Sequence, residues 1–404
     1  MSRPPLLFLT QRLPYPPIKG EKIRTLHILH RLRQWYDVHL GCLIDDPADW
    51  SHVDAVRRLC RDLYVAPLDR RGARLTCLRG LLTGEALSVV FFRDRGLQDW
   101  VRRVMAELRP TVFVNSSNMA PYVLDLPRTG PCLVDLADVD SEKWRAYAAA
   151  ARGPMRLVYR REWRHVATLE RRIATECDLA SFVSPAEAAL FARLVPDQAH
   201  KVRAISSGVD FRHFDPAETH AAPFDPAVPN LVFTGTMDYA PNVDAVTWFA
   251  TDVLPLIRAR LPDAQFHVVG AHPAPAVQAL ARRPSVHVTG RVADVRPYLA
   301  HAAVAVAPLR IARGIQNKVL EAMAMARPVV VTSGALEGID AIPGRDLLLA
   351  DAAEAFAAAC CRLVERPDLA AALGAAARAR VVAHYDWATC LAGFDDLLCP
   401  AEAA

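Results

Sequence analysis

The chain has 404 residues, of which 52% are hydrophobic, and a formal net charge of +4 at pH 7. This length and hydrophobic content suffice for two domain cores, and the small, interspersed charge argues against a dedicated nucleic-acid-binding protein. Nine cysteines without a C-x-x-C pair argue against a metal site or a disulfide framework, and no apolar run is long enough to span a bilayer. The short apolar run at residues 5–9 does not match a signal peptide, so we expect a cytoplasmic protein.

The N-terminal half alternates short apolar runs with helical stretches. We predict strands at residues 6–10, 38–44, 63–67, 112–115, 132–136 and 179–183, and helices at 23–36, 50–61, 97–108 and 153–177. The first strand leads into a loop with Gly20 and a helix with Arg24, which is the opening of a Rossmann-like unit. Because G-x-G-x-x-G is missing, a dinucleotide site is not supported.

Polar residues follow the predicted strand at 132–136. In α/β folds, a polar cluster just past a buried strand is where ligand-binding groups lie, which makes Asp138 a candidate. A helix N-cap role for Asp138 is the open alternative.

The predicted helix at 153–177 is strongly basic. Its arginines are Arg156, Arg160, Arg161, Arg164, Arg171 and Arg172. A basic amphipathic helix can lie on anionic lipid. The alternative is a solvated face whose arginines pair with Glu162, Glu170 and Glu176.

The C-terminal half begins after a strand at 202–206 and an Ala/Pro-rich linker at 219–229. We predict strands at 231–234, 265–269, 286–289, 304–308 and 329–332, and helices at 243–261, 295–302, 317–326, 352–364, 369–385 and 388–398. This alternation predicts an α/β fold with a mostly parallel sheet that is covered on both faces.

The segment 304–339 carries the strongest functional signal. A loop with two arginines and Gly314 precedes a helix that begins at Asn317. Such a loop is a natural anion site, because free backbone N–H groups point outward and the helix dipole adds positive potential. Lys318 lies in the first turn, where a cation is unfavourable without an anion, and Glu321 is a lone carboxylate on an apolar helix. The alternative is a core helix with one snorkelling carboxylate.

Gly314, the NKVLEAMA run from Asn317 and the PVV run from Pro328 resemble the nucleotide-sugar site of retaining glycosyltransferases of family four. The sequence of this segment is most similar to sugar transferases of exosortase/PEP-CTERM exopolysaccharide systems. The resemblance to the family covers residues 14–387. It implies the GT-B fold, with two facing Rossmann-like domains and the active site in the interdomain cleft. The implied acceptor-side domain is 1–206, with 388–404 packing back on it, and the implied nucleotide-sugar domain is 207–387.

The resemblance implies transfer from a UDP- or GDP-linked sugar to a saccharide or lipid-linked acceptor, with retention of anomeric configuration and without a metal or other cofactor. We therefore expect a role in exopolysaccharide biosynthesis, possible contact with the inner face of the cytoplasmic membrane, and no nucleic-acid partner. Our candidate catalytic residues are Arg313, Lys318 and Asp138, with Asp138 at an acceptor hydroxyl. Glu321 would bind the donor ribose. The other implied donor contacts are Gly20, Arg24, Gly235, Gly290, Arg291, Val292, Arg310, Gly314, Asn317, Val319 and Leu320.

Two departures from the family concern the helix with Glu321. Arg313 stands eight residues before Glu321, where the family has a second glutamate. Ala326 replaces the glycine that ends the helix. A non-glycine residue in a left-handed cap costs roughly 1 kcal/mol, which suggests a different helix end.

A third departure concerns the cations that follow the first strand of the C-terminal half. Thr236 and the Pro241-Asn242 pair fill the places of the family's arginine and lysine. The diphosphate cations are then expected from the arginines at 310 and 313 and from Lys318. An arginine at 313 cannot accept hydrogen bonds from a sugar, but it can bind phosphate bidentately.

Other functions stay open. A catalytically silent partner subunit is one, because the first glutamate is missing, and a sugar-nucleotide epimerase on the same fold is another. A phosphorylase that binds pyridoxal phosphate through lysine is disfavoured, since Lys318 is the only lysine after residue 201.

Overall fold

The structure is a computed structural model that describes residues 3–17, 20–81, 84–311 and 314–398. The chain divides into two compact units. Unit 1 comprises the residues up to Ser206 together with the segment from Leu391 onward, and unit 2 comprises Ser207–Cys390. Each unit is built on one parallel sheet with helices in the connections between strands, which is an α/β architecture.

Within its described residues, unit 1 has a seven-stranded parallel sheet. Its strands are β1 (Pro5–Thr10), β2 (Asp37–Ile44), β3 (Asp62–Pro67), β4 (Thr111–Asn115), β5 (Cys132–Ala137), β6 (Leu179–Phe182) and β7 (Val202–Ala204). Its helices are α1 (Gly20–Leu32), α2 (Val53–Arg57), α3 (Arg70–Gly80), α4 (Leu87–Phe91), α5 (Arg95–Leu108), α6 (Pro121–Leu124), α7 (Asp140–Ala150), α8 (Pro154–Glu176) and α9 (Pro185–Leu194).

The strand order in unit 1 is β3-β2-β1-β4-β5-β6-β7. The chain therefore starts in the middle of the sheet, builds outward to β3, and then crosses to β4 on the other side. Four consecutive residues of β1, from Leu6 to Leu9, are fully buried. This continuous burial explains the unbroken apolar run in the sequence, because a central parallel strand is covered on both faces.

Unit 2 has a six-stranded sheet in its described residues, in the order β10-β9-β8-β11-β12-β13. Its strands are β8 (Asn230–Thr234), β9 (Gln265–Val269), β10 (Val286–Gly290), β11 (Val304–Ala307), β12 (Val329–Val331) and β13 (Leu348–Leu349). Its helices are α10 (Ala240–Trp248), α11 (Leu254–Arg260), α12 (Pro275–Leu280), α13 (Arg296–Ala300), α14 (Asn317–Ala324), α15 (Ser333–Leu336), α16 (Ala353–Glu365), α17 (Pro367–His384) and α18 (Trp387–Leu391), which ends at the unit boundary.

The C-terminal segment packs on the rest of unit 1. It ends in the short helix α19 (Asp395–Leu398), and Asp395 forms a salt bridge with Arg31. The Tyr36 hydroxyl donates a hydrogen bond to the Leu398 carbonyl, and the ring of Phe394 lies 5.3 Å from that of Phe113. Apolar and polar contacts together therefore hold this segment on unit 1.

Two predicted helices are shorter in the structure than in the sequence analysis. The helix predicted at 50–61 is wrong over much of its length, because a 3₁₀ turn at Pro47–His52 precedes the short α2. The Asp46 side chain accepts from the Ala48 N–H and starts that turn. The helix predicted at 388–398 is interrupted by a second 3₁₀ turn at Ala392–Phe394. In contrast, α4, α6, α7, α12, α15 and β13 were not predicted.

The end of α14 has the geometry that glycine normally provides. Ala326 has a left-handed backbone with φ of 52°. Its N–H donates to the Met323 carbonyl and the Arg327 N–H donates to the Ala322 carbonyl, both at 3.0 Å, which completes a Schellman motif. A Cβ added to Gly374 of α17 would lie 2.1 Å from the Ala326 carbonyl oxygen, so the two backbones touch. The expectation of a different helix end is therefore wrong.

Candidate functional site

The carboxyl ends of β8 and β11 lie side by side in unit 2, where the strand order reverses. β8 pairs with β9 on one side and with β11 on the other. In open α/β sheets, ligands bind in the crevice outside such a switch point. The loop after β8 begins with Gly235, and the loop after β11 leads into α14. The predicted donor residues of unit 2 can be placed relative to this point.

Lys318, in the first turn of α14, points towards the loop after β8. Its Nζ donates to Asn242 Oδ1 at 3.2 Å and to Gln316 Oε1 at 3.3 Å, and it lies 5.3 Å from the centre of the Phe233 ring. Burial lowers the pKa of Lys318 to about 8, and the Glu321 carboxylate partly opposes this change. Within the described part of the chain, Lys318 forms no salt bridge. Its ammonium is therefore held by neutral acceptors and can still pair with an anion.

Asn242 was missed as a site residue, although its position at the start of α10, after the switch-point strand, is a signal for one. It is buried, and its Nδ2 donates to the Thr236 carbonyl at 2.8 Å, which directs Oδ1 towards Lys318. A Cβ on Gly235 would lie 2.8 Å from Asn242 Nδ2 and 3.4 Å from Lys318 Cε. Glycine at 235 thus leaves room for the contact between Asn242 and Lys318.

Glu321 lies one turn further along α14 and is half-buried. Burial raises the pKa of Glu321 to about 7, and Lys318 acts in the opposite direction. No donor among the described residues makes a hydrogen bond to its carboxylate. A partly desolvated carboxylate without donors gains free energy when a ligand hydroxyl donates to it. The flanking Leu320 and Ala322 are buried in the core, so Glu321 is a carboxylate between two core residues.

The N-terminus of α14 offers backbone donors one or two residues earlier than the resemblance implies. The N–H groups of Val319 and Leu320 point to the Gln316 carbonyl, at 2.9 and 3.4 Å, and both side chains are buried in the core. These two residues are thus a correction to the predicted set. The N–H groups of Asn317 and Lys318 have no acceptor within the described residues, as expected for the first turn of a helix.

Two arginines, at positions 310 and 313, precede α14. Arg310 is exposed and forms a salt bridge with Asp244, with Nε 3.0 Å from Oδ2, and its guanidinium lies 5.5 Å from the centre of the Trp248 ring. Arg310 is therefore paired with a carboxylate, and its predicted contact with phosphate stays a prediction. Arg313 lies outside the described residues. Gly314 is buried and has a φ of 66°, a conformation that favours glycine.

Gly290 ends β10, and Arg291 and Val292 follow it at the same carboxyl edge of the sheet. Gly290 has a φ of 68°, and no atom lies within 4 Å of a Cβ added there. The Arg291 guanidinium is exposed and lies 3.3 Å from His272 Nε2, and Val292 packs against the core of unit 2. Their predicted contact with a nucleobase stays a prediction.

In unit 1, Asp138 lies just past β5 and is half-buried. Burial raises its pKa to about 7, with further contributions from the Glu187 and Asp140 carboxylates. Its Oδ1 is buried without a hydrogen-bond partner in the described residues. The N-cap alternative is wrong, because Val139 is the N-cap of α7 and no capping bond from Asp138 is present. Asp138 thus retains an acceptor atom for a ligand.

Arg24 has a structural role in unit 1. Its guanidinium makes a bidentate salt bridge with Asp135, at 2.8 and 2.9 Å, and donates to the carbonyls of Ile205 and Ser206. All of these groups lie within unit 1, and Arg24 is 3% exposed. Because its donors are engaged, we correct its predicted role from donor binding to holding α1 on the sheet. Gly20 is exposed at the start of α1.

No helix in the described part of the chain is long and apolar enough to cross a bilayer. Among the same residues, no group of three or more His, Cys, Asp or Glu side chains is arranged to hold a metal ion.

Comparisons with known proteins concern the fold and the second unit. Residues 228–366 match the sequence profile of the family described as Glycosyl transferases group 1, and no curated protein matches the chain. Sucrose-phosphate synthase from Thermosynechococcus elongatus has a TM-score of 0.69 at 20% identity, with 98% of each chain covered. HepE from Anabaena, solved with UDP, has a TM-score of 0.68 at 15% identity, covering 99% of this chain and 100% of its own. WaaG, a glycosyltransferase involved in lipopolysaccharide biosynthesis, has a TM-score of 0.65 at 16% identity, covering 97% and 99%. The chain therefore has the GT-B fold with two Rossmann-like domains, and its segment 228–366 is similar to the group 1 glycosyl transferases.

Proposed function

We propose that this protein is a glycosyltransferase that moves a sugar from a nucleotide sugar to a saccharide or lipid-linked acceptor. The observation that carries the proposal is the group formed by Lys318, Glu321 and the free N–H groups of α14 at the switch point of unit 2. A diphosphate needs a cation and N–H donors, and a ribose needs an acceptor for its hydroxyls. All three lie within two turns of one helix, inside the segment that is similar to group 1 glycosyl transferases.

In the proposed reaction, the bond between the sugar C1 and the diphosphate oxygen breaks while the acceptor oxygen bonds to C1 on the same face. The leaving phosphate oxygen takes the acceptor proton, so no protein base is required and the anomeric configuration is retained. The ammonium of Lys318 and the N–H groups of Asn317 and Lys318 stabilise the negative charge that develops on the diphosphate. We propose that this happens without a metal, and that Asp138 accepts a hydrogen bond from the acceptor hydroxyl.

The donor and the pathway are proposed on more general grounds. Anabaena HepE has been solved with UDP and with UDP-glucose, which supports a nucleotide sugar as the donor, and we propose that it is UDP- or GDP-linked. WaaG is involved in lipopolysaccharide biosynthesis, which supports assembly of an extracellular polysaccharide as the setting. A lipid-linked acceptor would place the reaction at the inner face of the cytoplasmic membrane.

A thermal-shift screen over nucleosides, nucleoside diphosphates and nucleotide sugars tests the proposal. A ligand at one hundred times its Kd stabilises the folded state by about 2.7 kcal/mol, which is easily measured as a rise in Tm. We expect UDP or GDP to raise the Tm, and Lys318→Met to remove the effect of the diphosphate more than that of the nucleoside. The surface variant Arg282→Gln serves as a control. Failure of every nucleotide and nucleotide sugar to raise the Tm would refute a donor site.

The arginine at position 313 leaves two hypotheses open, an active enzyme and a catalytically silent partner subunit. It stands where the resembled family has a glutamate, and we propose that it binds the diphosphate. Arg313→Ala is then expected to weaken binding of a nucleoside diphosphate more than that of a nucleoside. If the wild-type protein binds nucleotide sugars but neither transfers nor hydrolyses them with a range of acceptors, the silent subunit is the better interpretation.

A further inference from the structure

One face of α8 carries arginines without acidic partners. Leu157, Arg160, Arg164 and Arg171 are spaced by three, four and seven residues, so they share one face of the helix. All four are exposed, and Leu157 has 69% of its surface accessible. Together with Arg156, which is exposed at the start of the helix, these residues form what we call the arginine face.

The acidic residues of α8 do not neutralise this face. Glu162 is buried and accepts hydrogen bonds from the N–H groups of Leu87 and Ser88, at 2.7 and 2.8 Å. Glu170 is also buried and accepts from the Ser141 N–H at 3.1 Å.

The remaining acid of the helix, Glu176, pairs with Arg172 at 2.6 Å. Arg172 is not part of the arginine face. Within the described residues, no arginine of that face forms a salt bridge. The alternative in which Glu162 and Glu170 pair with these arginines is therefore wrong.

The neighbouring helix α3 extends the surface. Arg161 Nη2 donates to the Gly80 carbonyl at 2.8 Å, which places the end of α3 beside α8. Two leucines of this region are exposed, Leu75 by 66% and Leu81 by 39%, and Arg71 and Arg74 of α3 are exposed as well. Exposed leucines and arginines that form no salt bridge within the described residues thus lie together on α8, on α3 and on the turn after α3.

We propose that the arginine face and the exposed side chains of Leu75 and Leu81 dock this protein on a surface of anionic lipid. Phosphate headgroups offer the guanidinium groups bidentate acceptors, which the protein itself does not supply here. Leucines that are exposed among the arginines reach the apolar side of the interface, as in amphipathic helices that lie on membranes. A soluble polyanion would match the arginines but would leave the leucines in water. The surface lies in unit 1 and does not depend on the proposed transferase activity.

Co-sedimentation with lipid vesicles tests the proposal. Vesicles of phosphatidylcholine that contain phosphatidylglycerol are expected to bind the full-length protein, whereas vesicles of pure phosphatidylcholine are not. Binding should weaken as salt is raised, because surface charges are screened. The variant in which Arg156, Arg160, Arg164 and Arg171 are all replaced by glutamine should lower the partition coefficient on the order of a thousandfold.

A matched control separates the arginine face from net charge. Replacing four exposed arginines elsewhere, Arg103, Arg282, Arg283 and Arg362, by glutamine changes the net charge by the same amount. This control variant is expected to bind vesicles nearly as well as the wild type. Both variants should unfold at the wild-type temperature, which shows that any loss of binding does not come from unfolding.

Leu157→Ser tests the apolar part of the surface. It should weaken vesicle binding several-fold without changing binding to heparin, a soluble polyanion. The proposal is overturned if the wild type does not bind the anionic vesicles, or if the control variant loses as much binding as the arginine-face variant. It is also overturned if Leu157→Ser binds vesicles like the wild type while heparin competes fully, because the face is then a general polyanion site.

Discussion

Replacing Glu321 by glutamine should stabilise the fold at high pH while it weakens nucleotide binding. Burial raises the pKa of Glu321 from 4.5 to about 7, so the folded protein holds this proton more tightly than the unfolded chain does. As pH rises from 4.5 towards 7, the unfolded chain loses the proton first, and the folded state becomes less stable relative to it. Glutamine resembles the protonated acid in shape and does not ionise. The variant therefore escapes this loss of stability.

The size of the effect follows from the pKa difference. A tenfold change in proton affinity is worth about 1.4 kcal/mol, so a pKa that moves from 4.5 to about 7 sets an upper bound of about 3.5 kcal/mol. This figure already includes the attraction between Glu321 and Lys318, and the partial exposure of the side chain reduces it. We expect Glu321→Gln to be about 1–2 kcal/mol more stable than the wild type near pH 8, and about equally stable near pH 5.

Thermal unfolding of both proteins at these two pH values measures the difference. For a unit of this size, the expected gain near pH 8 corresponds to a rise in Tm of about 2–8 °C. Glu354→Gln, which replaces an exposed acid of α16, is the control and should show no such dependence on pH. Nucleotide titration should show a loss of roughly 1.5–3 kcal/mol in binding, from the lost charged hydrogen bonds. Equal Tm differences at both pH values would refute the burial argument, and unchanged nucleotide affinity would make Glu321 a structural residue.

Three further outcomes follow from the described contacts. Ala326→Gly should stabilise the protein by about 1 kcal/mol in urea unfolding, because glycine adopts the left-handed cap without strain, whereas Gly374→Ala should destabilise it through the contact with the Ala326 carbonyl. Asp138→Asn should lower turnover in a transfer assay and leave donor affinity unchanged; a loss of stability with normal turnover would contradict a role at the acceptor. Lys318→Met should weaken nucleoside diphosphate binding by at least tenfold, and Arg310→Met should change it little, since Asp244 already neutralises that arginine; the reverse order in a calorimetric titration would contradict our assignment of the cation.

Much of the fold was predictable because its signals are local. The apolar runs of β1 and β11 are buried in central parallel strands. The N-cap of α9 is equally local, since the Glu187 N–H donates to Ser184 Oγ at 3.2 Å. The closeness of Lys318 and Glu321 was predictable for the same reason, since they are one turn apart on a helix. Local sequence was also enough to suggest an anion site at the start of α14. The predicted contacts included Val319 and Leu320, whereas the free N–H groups are those of Asn317 and Lys318.

Whether a charged side chain is available to a ligand could not be predicted, because its partner is remote in sequence. Arg24 follows a glycine loop and has the position of a ligand-binding cation, but Asp135, 111 residues away, binds it from a neighbouring strand. Arg310 is neutralised in the same way by Asp244, 66 residues earlier. A motif thus shows which charges lie near a site, and only the tertiary structure shows which of them are already paired.

The burial of Glu162 and Glu170 on α8 also depends on partners that are remote in sequence. These partners explain why the exposed face of α8 carries arginines without acids. α4 and α7 begin after Ala86 and Val139, which have no side chain that can cap a helix. The N–H groups at the start of both helices instead donate to Glu162 and Glu170 from α8, which satisfies donors that would otherwise be buried without partners. Both glutamates must therefore face inward, on the side of α8 opposite to its arginines. The caps that α4 and α7 lack locally thus account for an arginine face that is left without acids, and this face is the surface that we propose to bind anionic lipid.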